Sequence, residues 1–187
     1  MGALIFINKY TQVYNGPMLN KKEKLFAKRL VLKSIGKEDK NDLLKIVKDP
    51  LVKKSYMLPD FNDEKEEEKF FEKLMNFSLD KDNFVYGIYS DRIIGFLNKV
   101  SIENDEIEVG YFIDSKEWNK GYATEALKAA IEELFRLGFK RVFAGYFEEN
   151  PASGRVMEKS GMHKIDKIDV IEYRNKSHRC YYYAIEK

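Results

Sequence analysis

A chain of 187 residues is long enough for one domain with a substantial core and too short for two large ones. Its 33 basic residues nearly cancel 31 acidic ones, and a net charge of +2 argues against a nucleic-acid groove or an anionic membrane surface as partner. Cys180 is the only cysteine, so no internal disulfide forms. The early apolar run Ala3-Leu4-Ile5-Phe6-Ile7 is too short to span a bilayer and has no signal-peptide flanks, so the expected location is cytoplasmic.

Residues 1–24 read as an N-terminal extension, with a turn signal at Asn15-Gly16-Pro17 and a charged stretch at Lys21-Lys22-Glu23-Lys24. Residues 25–187 read as a single domain. Lys28 to Lys33 is a first strand. From Asp39 to Lys48, Leu43, Leu44, Ile46 and Val47 fall at helical spacing, and Pro50 stops that helix. Asn62 or Asp63 caps a second helix, whose acidic start suits the helix dipole and whose buried face is Phe70, Phe71, Leu74, Met75 and Phe77. The charge run 63–69 reads as a solvated helix face.

Three strands follow in quick succession, 84–89, 92–100 and 106–113, joined by the turns Ser90-Asp91 and Asn104-Asp105, as in an antiparallel meander. The period then changes. Ala123, Ala126, Leu127, Ala130, Ile131, Leu134 and Phe135 form one helical face, and Gly138 stands where a C-terminal cap belongs. A strand at 141–147 comes next. Asn150-Pro151 opens a short helix that Gly161 ends, and two closing strands lie near 164–173 and 179–185. The order β-α-α-β-β-β-α-β-α-β-β predicts an α/β (α+β) fold: a mixed, mostly antiparallel sheet flanked by helices. The strands 106–113 and 141–147 are joined through a helix as parallel neighbours.

The stretch richest in chemistry is Trp118-Asn119-Lys120-Gly121-Tyr122-Ala123-Thr124-Glu125-Ala126. A basic, glycine-centred turn runs into a long amphipathic helix, so several N–H groups are exposed at the positive end of its dipole. That is a site for a phosphate-bearing ligand. With Glu108-Val109-Gly110-Tyr111-Phe112-Ile113, Asn150-Pro151-Ala152-Ser153 and Met157-Glu158-Lys159-Ser160-Gly161-Met162, this stretch resembles the four characteristic blocks of the GNAT-fold N-acetyltransferases. The likeness is to the subgroup typified by ribosomal-protein N-terminal acetyltransferases.

The resemblance implies a sheet splayed between its fourth and fifth strands, 106–113 and 141–147, with acetyl-CoA as cosubstrate and no metal. It assigns the pyrophosphate to Asn119, Lys120, Gly121, Tyr122, Ala123 and Thr124. It assigns pantetheine to the main chain of Tyr111, Phe112 and Ile113, as in strand addition, and a further cofactor contact to Asn150 and Ser153. A main-chain N–H of the same strand is expected to stabilise the oxyanion. Asn119 replaces the subgroup's usual glycine, a residue type that tolerates left-handed geometry.

For the chemistry, the position where many family members carry a proton-donating tyrosine is Met157, and Ser153 is the substitute that the subgroup implies. Glu172, in a Glu-Tyr pair, is the first choice for the base and Glu108 the second; each reads equally as an exposed strand glutamate. The expected function is acetyl transfer to a primary amine by direct attack. The acceptor is a peptide N-terminus or, as the alternative, a small amine such as a polyamine, aminoglycoside or amino acid. A non-catalytic acyl-CoA-binding module is the reading from another class. His163, His178 and Cys180 do not make a zinc site. Tyr10, Tyr14 and Tyr56 read as packing residues before pocket-lining ones. Monomer and homodimer both remain open.

Overall fold

The computed structural model describes residues 16–187; Tyr10, Tyr14 and most of the expected extension lie outside the described residues. Eight strands form one sheet in the order β1-β2-β3-β4-β5-β6-β8-β7. They are β1 (Lys24–Phe26), β2 (Val31–Lys33), β3 (Val85–Tyr89), β4 (Ile93–Glu103), β5 (Glu106–Ile113), β6 (Arg141–Phe147), β7 (His163–Tyr173) and β8 (Lys176–Glu186). Among the described strands only β5 and β6 pair in parallel. The helices are α1 (Lys40–Lys48), α2 (Pro50–Ser55), α3 (Glu64–Leu79), α4 (Tyr122–Leu137) and α5 (Pro151–Lys159).

The extra strand β1 pairs with β2 inside what reads as charged extension and loop. The extra helix α2 has a local cause. Pro50 ends α1 as expected, but a proline also suits a first helical position, and the Asp49 carboxylate caps the new helix by accepting from Leu51 N at 2.8 Å. Asp63, rather than Asn62, caps α3, and the acidic side chains that follow are held outward by Asn62 and by Lys48 and Lys40 of α1. This run is a solvated face, as its composition predicts.

Two hydrophobic layers sandwich the sheet. One face packs on α4 and α5 through Leu97, Ile107, Val109, Leu127, Ala130, Leu134 and Met157. The other packs on α1, α2 and α3 through Leu43, Val47, Val52, Phe71, Phe96 and Phe112. Each fully buried side chain of this size contributes about 1.5–3 kcal/mol. Met157, 1% exposed, belongs to this packing. Residues ahead of β1 are tied to the same body. The Lys21 ammonium donates to Ser78 O (2.6 Å) and Val85 O (2.9 Å) over the Tyr86 ring, and burial lowers its pKa to about 8.

Candidate active site

The site begins where the sheet parts. Strands β5 and β6 pair through only three positions, the last being Glu108 with Phe143, and beyond these both strands run on unpaired with each other. These are the two strands for which the family resemblance implies splaying; β1 makes them fifth and sixth in chain order. The cause is visible on the next strand. Val100 is an extra residue in β4, because Lys99 faces Val109 while Ser101 already faces Glu108. A bulge of this kind bends and twists its strand, and it stands beside the vertex of the gap. Beyond that vertex, every second residue of Val109 to Ile113 turns its main-chain N–H and C=O toward the gap.

The far end of the gap is the loop before α4. Asn119 (φ 61°) and Gly121 (φ 82°) both adopt left-handed backbone, so asparagine does occupy the conformation its replacement of glycine demands. Gly121 caps α4 with no side-chain bond. The first-turn N–H groups of Tyr122, Ala123 and Thr124 therefore have no intrahelical acceptor and point out of the helix start. The Trp118 indole N–H donates to Ile113 O at 2.8 Å, which joins the loop to the end of β5. The Lys120 ammonium rests on Glu117 at 2.7 Å, and this bond raises its pKa.

One organiser of the loop is absent from the sequence reading. Arg29, between β1 and β2, donates from Nε to Glu125 (2.9 Å) and from its other end to Lys120 O (3.0 Å), and its guanidinium lies 4.7 Å over the Tyr122 ring. A lone arginine beside a short strand offers no signal of such reach.

Helix α5 lines the other bank of the gap. Asn150 caps it, accepting from Ser153 N at 3.4 Å and donating to the Ser153 hydroxyl at 2.9 Å. Tyr111 crosses the gap from β5 and donates to Ser153 O at 3.4 Å. Burial raises the pKa of this phenol. Ser153, Asn150 and Tyr111 thus meet on the α4–α5 side, with Tyr146 of β6 packed against Gly154 nearby.

The opposite side of the vertex carries a different set. Glu108 is half-buried and accepts from the Ser101 hydroxyl at 3.1 Å. Burial raises its pKa, the nearby Lys167 charge and the Ser101 bond oppose that rise, and Asp169 adds to it. Tyr56, from the end of α2, lies on Gly110, where a Cβ would come within 2.7 Å of the phenol oxygen; its hydroxyl donates to Asn98 Oδ1 at 2.7 Å. Burial first and the Glu108 charge second raise the pKa of Tyr56. Tyr182 of β8 donates to Asp169 at 2.7 Å. Cys180, buried beside them, is pushed up to about 11 by burial and so stays a thiol.

The two glutamates named by the sequence are not brought together. Asp169 pairs with Cys180 and Ile171 with His178, so these and Tyr173 share the face of Glu108 and Tyr182. Glu172 alternates with them. It lies on the other face with exposed Ile168 and Val170, and accepts from the Ser177 hydroxyl. In the Glu-Tyr pair, Tyr173 is the residue that reaches the site's surroundings: its hydroxyl donates to Leu58 O (3.1 Å) and accepts from Leu58 N (3.3 Å). Arg174 pairs with Asp60 at 2.6 Å, so the β7–β8 hairpin is fastened to the α2–α3 loop. Its two-residue turn, Arg174-Asn175, has both φ angles positive, as type I′ requires.

Residues 29–163 match the family model described as acetyltransferase (GNAT) domain. The chain belongs to the GNAT acetyltransferase family. Among curated relatives, an uncharacterized N-acetyltransferase p20 of Bacillus licheniformis is 28% identical over 148 residues, 76% of this chain and 83% of that protein. A GNAT-family acetyltransferase from Bacillus anthracis superposes with TM-score 0.75 at 26% identity, covering 87% of this chain and 98% of that one. RimL, a ribosomal L7/L12 alpha-N-protein acetyltransferase solved with coenzyme A, shares the fold with TM-score 0.74 at 20% identity, covering 88% and 98%.

This GNAT chain is an acyl-CoA-dependent N-acetyltransferase. Its residues fit acetyl-CoA: an uncapped helix start with a left-handed glycine suits a diphosphate, and an open strand edge leads from it to the vertex. Among the described residues no cluster of side chains could hold a metal ion, and no helix is long and apolar enough to cross a membrane.

Proposed function

We propose that this GNAT enzyme acetylates the free end of an acceptor, a peptide N-terminal α-amine, by direct attack, with Glu108 as the base. Acetyl-CoA supplies the activated acyl group as a thioester. The loop Asn119 to Thr124 holds the diphosphate through main-chain N–H groups, and Tyr111 and Ile113 offer their backbone to the pantetheine arm; Phe112, which the resemblance also named, turns its main chain to Phe96 of β4 instead. Asn150 donates to the Ser153 hydroxyl, which is assigned to hydrogen-bond the sulfur; Tyr111, joined to Ser153 O, is the second hydroxyl on that bank.

Glu108 receives the acceptor's proton. Its raised pKa makes it a stronger base than an ordinary surface glutamate, and it lies at the vertex of the gap. Glu172, on the outer face, has no path to the same point and is assigned no role in the step.

The observation carrying the acceptor assignment is the bridge from Tyr173 and Arg174 to Leu58 and Asp60. A face roofed in this way admits a chain end and obstructs a lysine in the middle of a continuous chain. An α-amine also demands less of its base, being about one-tenth neutral at pH 7, whereas a lysine amine near 10.4 is far less available. RimL, by name, acts on such an α-amine, and its fold is the one seen here. A small free amine would pass the same roof.

A thiol-release assay with acetyl-CoA tests the assignment. Peptides with a free N-terminus should turn over at least about tenfold faster than N-blocked peptides with an internal lysine. Equal rates would overturn it. Polyamines outpacing both would favour the small-amine reading, and tight acetyl-CoA binding with no thiol release from any amine would leave a binding module.

A further inference from the structure

An amine already stands beside the proposed base. Lys167 belongs to an irregular stretch of β7, where Ile165 pairs with Tyr182 and Ile168 already pairs with Tyr181. Its ammonium lies 4.2 Å over the Tyr182 ring and 5.2 Å over the Phe143 ring. Asp169 stands 3.8 Å from it, with its carboxylate fixed by the Tyr182 hydroxyl. Two ring faces and a carboxylate make a cage that attracts a cation. Phe143 is the strand partner of Glu108 at the last rung before the gap opens. The cage therefore adjoins the vertex, and Lys167 is the leading charged neighbour acting on Glu108. The side chain is 43% exposed, so the amine is steered but free to swing on its four-carbon stem.

We propose that Lys167 is a self-acetylation site: in the absence of an external acceptor the enzyme transfers the acetyl group of acetyl-CoA to its own Lys167 Nζ. This rests on Glu108 being the base. The proton of the Lys167 ammonium passes to Glu108, and the neutral nitrogen bonds to the acetyl carbonyl carbon. The carbon–sulfur bond breaks, and the thiolate takes a proton from solvent and leaves as coenzyme A. The remaining nitrogen proton is lost to solvent, giving a neutral amide, and nothing is oxidised or reduced. The bridge that obstructs a foreign lysine does not restrict Lys167, which reaches the vertex from β7 itself.

The test uses the full chain with acetyl-CoA and no acceptor, with acetyl groups located by tandem mass spectrometry. Lys167 should be labelled at least about tenfold faster than exposed Lys164 of the same strand, with a rate constant independent of protein concentration. Glu108→Gln should bring Lys167 down to the Lys164 rate. Labelling of Lys167 no faster than Lys164, while calorimetry shows acetyl-CoA bound, overturns the proposal and leaves the transferase reading intact. A concentration-dependent rate overturns it too, and loss of acetyl-CoA binding overturns both.

A second readout needs no thioester. Glu108 is faced by Ser101, Lys167, Asp169, Tyr56, Tyr182 and Cys180. Removing the one positive charge among them, with Lys167→Met, should move the Glu108 carboxyl titration upward by NMR. An unmoved titration would show that the amine is not beside the base, and the proposal would fall.

Discussion

The two faces of the sheet are built by different means. The α4–α5 face, proposed to hold the cofactor, offers backbone: left-handed Asn119 and Gly121, the bare N–H groups of the α4 start, and the edge of β5. The opposite face is built from side chains brought together from α2, β4, β5, β7 and β8: Tyr56, Asn98, Ser101, Glu108, Lys167, Asp169 and Tyr182. A backbone device is specified within a few consecutive residues and keeps its form. A side-chain assembly depends on long-range register, and each member can change separately. On the proposed assignment the cofactor half is thus general and the acceptor half particular.

The sharpest way to break that comparison is to exchange the two glutamates. Glu108→Gln should lower kcat/KM about 100- to 1000-fold at pH 7, within the range of a lost general base, and leave acetyl-CoA affinity nearly unchanged. Because the pKa of Glu108 is raised and the base works deprotonated, wild-type activity should rise with pH through a limb above the ordinary glutamate range. The variant should lose that limb. Glu172→Gln should stay within about twofold of wild type. A large loss in Glu172→Gln with none in Glu108→Gln would move the acceptor to the other face.

The backbone half is tested at Gly121. A side chain in this left-handed position costs about 1–2 kcal/mol. Gly121→Val should therefore weaken acetyl-CoA binding by roughly tenfold or more by calorimetry, with the pH limb of Glu108 in place. A moved limb would mean that the faces are not independent.

Smaller effects probe the roof and the edge of the fold. Tyr173→Phe removes both bonds to Leu58 and should lower the preference for free N-termini over internal lysines about threefold; an unchanged ratio would detach the bridge from selectivity. Lys21→Met tests the tie ahead of β1. The folded pKa of Lys21, about 8, lies below the ordinary lysine value of 10.5, so the unfolded chain binds the extra proton between those pH values. Stability should rise with pH across that window, and the variant should flatten the rise in thermal melts. A slope unchanged by the substitution would locate the titration elsewhere.

How much was legible follows the same division. The loop, α4 and the Asn150 cap are local signals, the parting of 106–113 from 141–147 is what the family resemblance implies, and all are present. The acceptor side was not legible, for definite reasons. Alternation places Asn98 and Ser101 on opposite faces, but the Val100 bulge rotates Ser101 onto the face of Glu108. Alternation also says that Glu172 and Tyr173 point opposite ways without saying which way is inward; only the pairing with β8 decides. Pro50 stops one helix and starts another, and that second helix ends at Tyr56, the residue laid on Gly110. Arg29 gave no sign at all, because its partners lie some 90 residues away, at |i−j| 91 to 96.

The indole bond from Trp118 to Ile113 sets a length. It pins the loop proposed to hold the diphosphate to the end of β5, and the last rung with β6, at Glu108, marks the vertex, so five residues, Val109 to Ile113, separate the two. At about 3.3 Å per residue that is roughly 17 Å, a ruler cut in main chain. With the diphosphate placed as proposed, a donor whose arm is truncated should fall short of Glu108. On the same placement a donor whose acyl tail is extended should meet Tyr56, packed on Gly110, so the span that measures the carrier also measures its cargo.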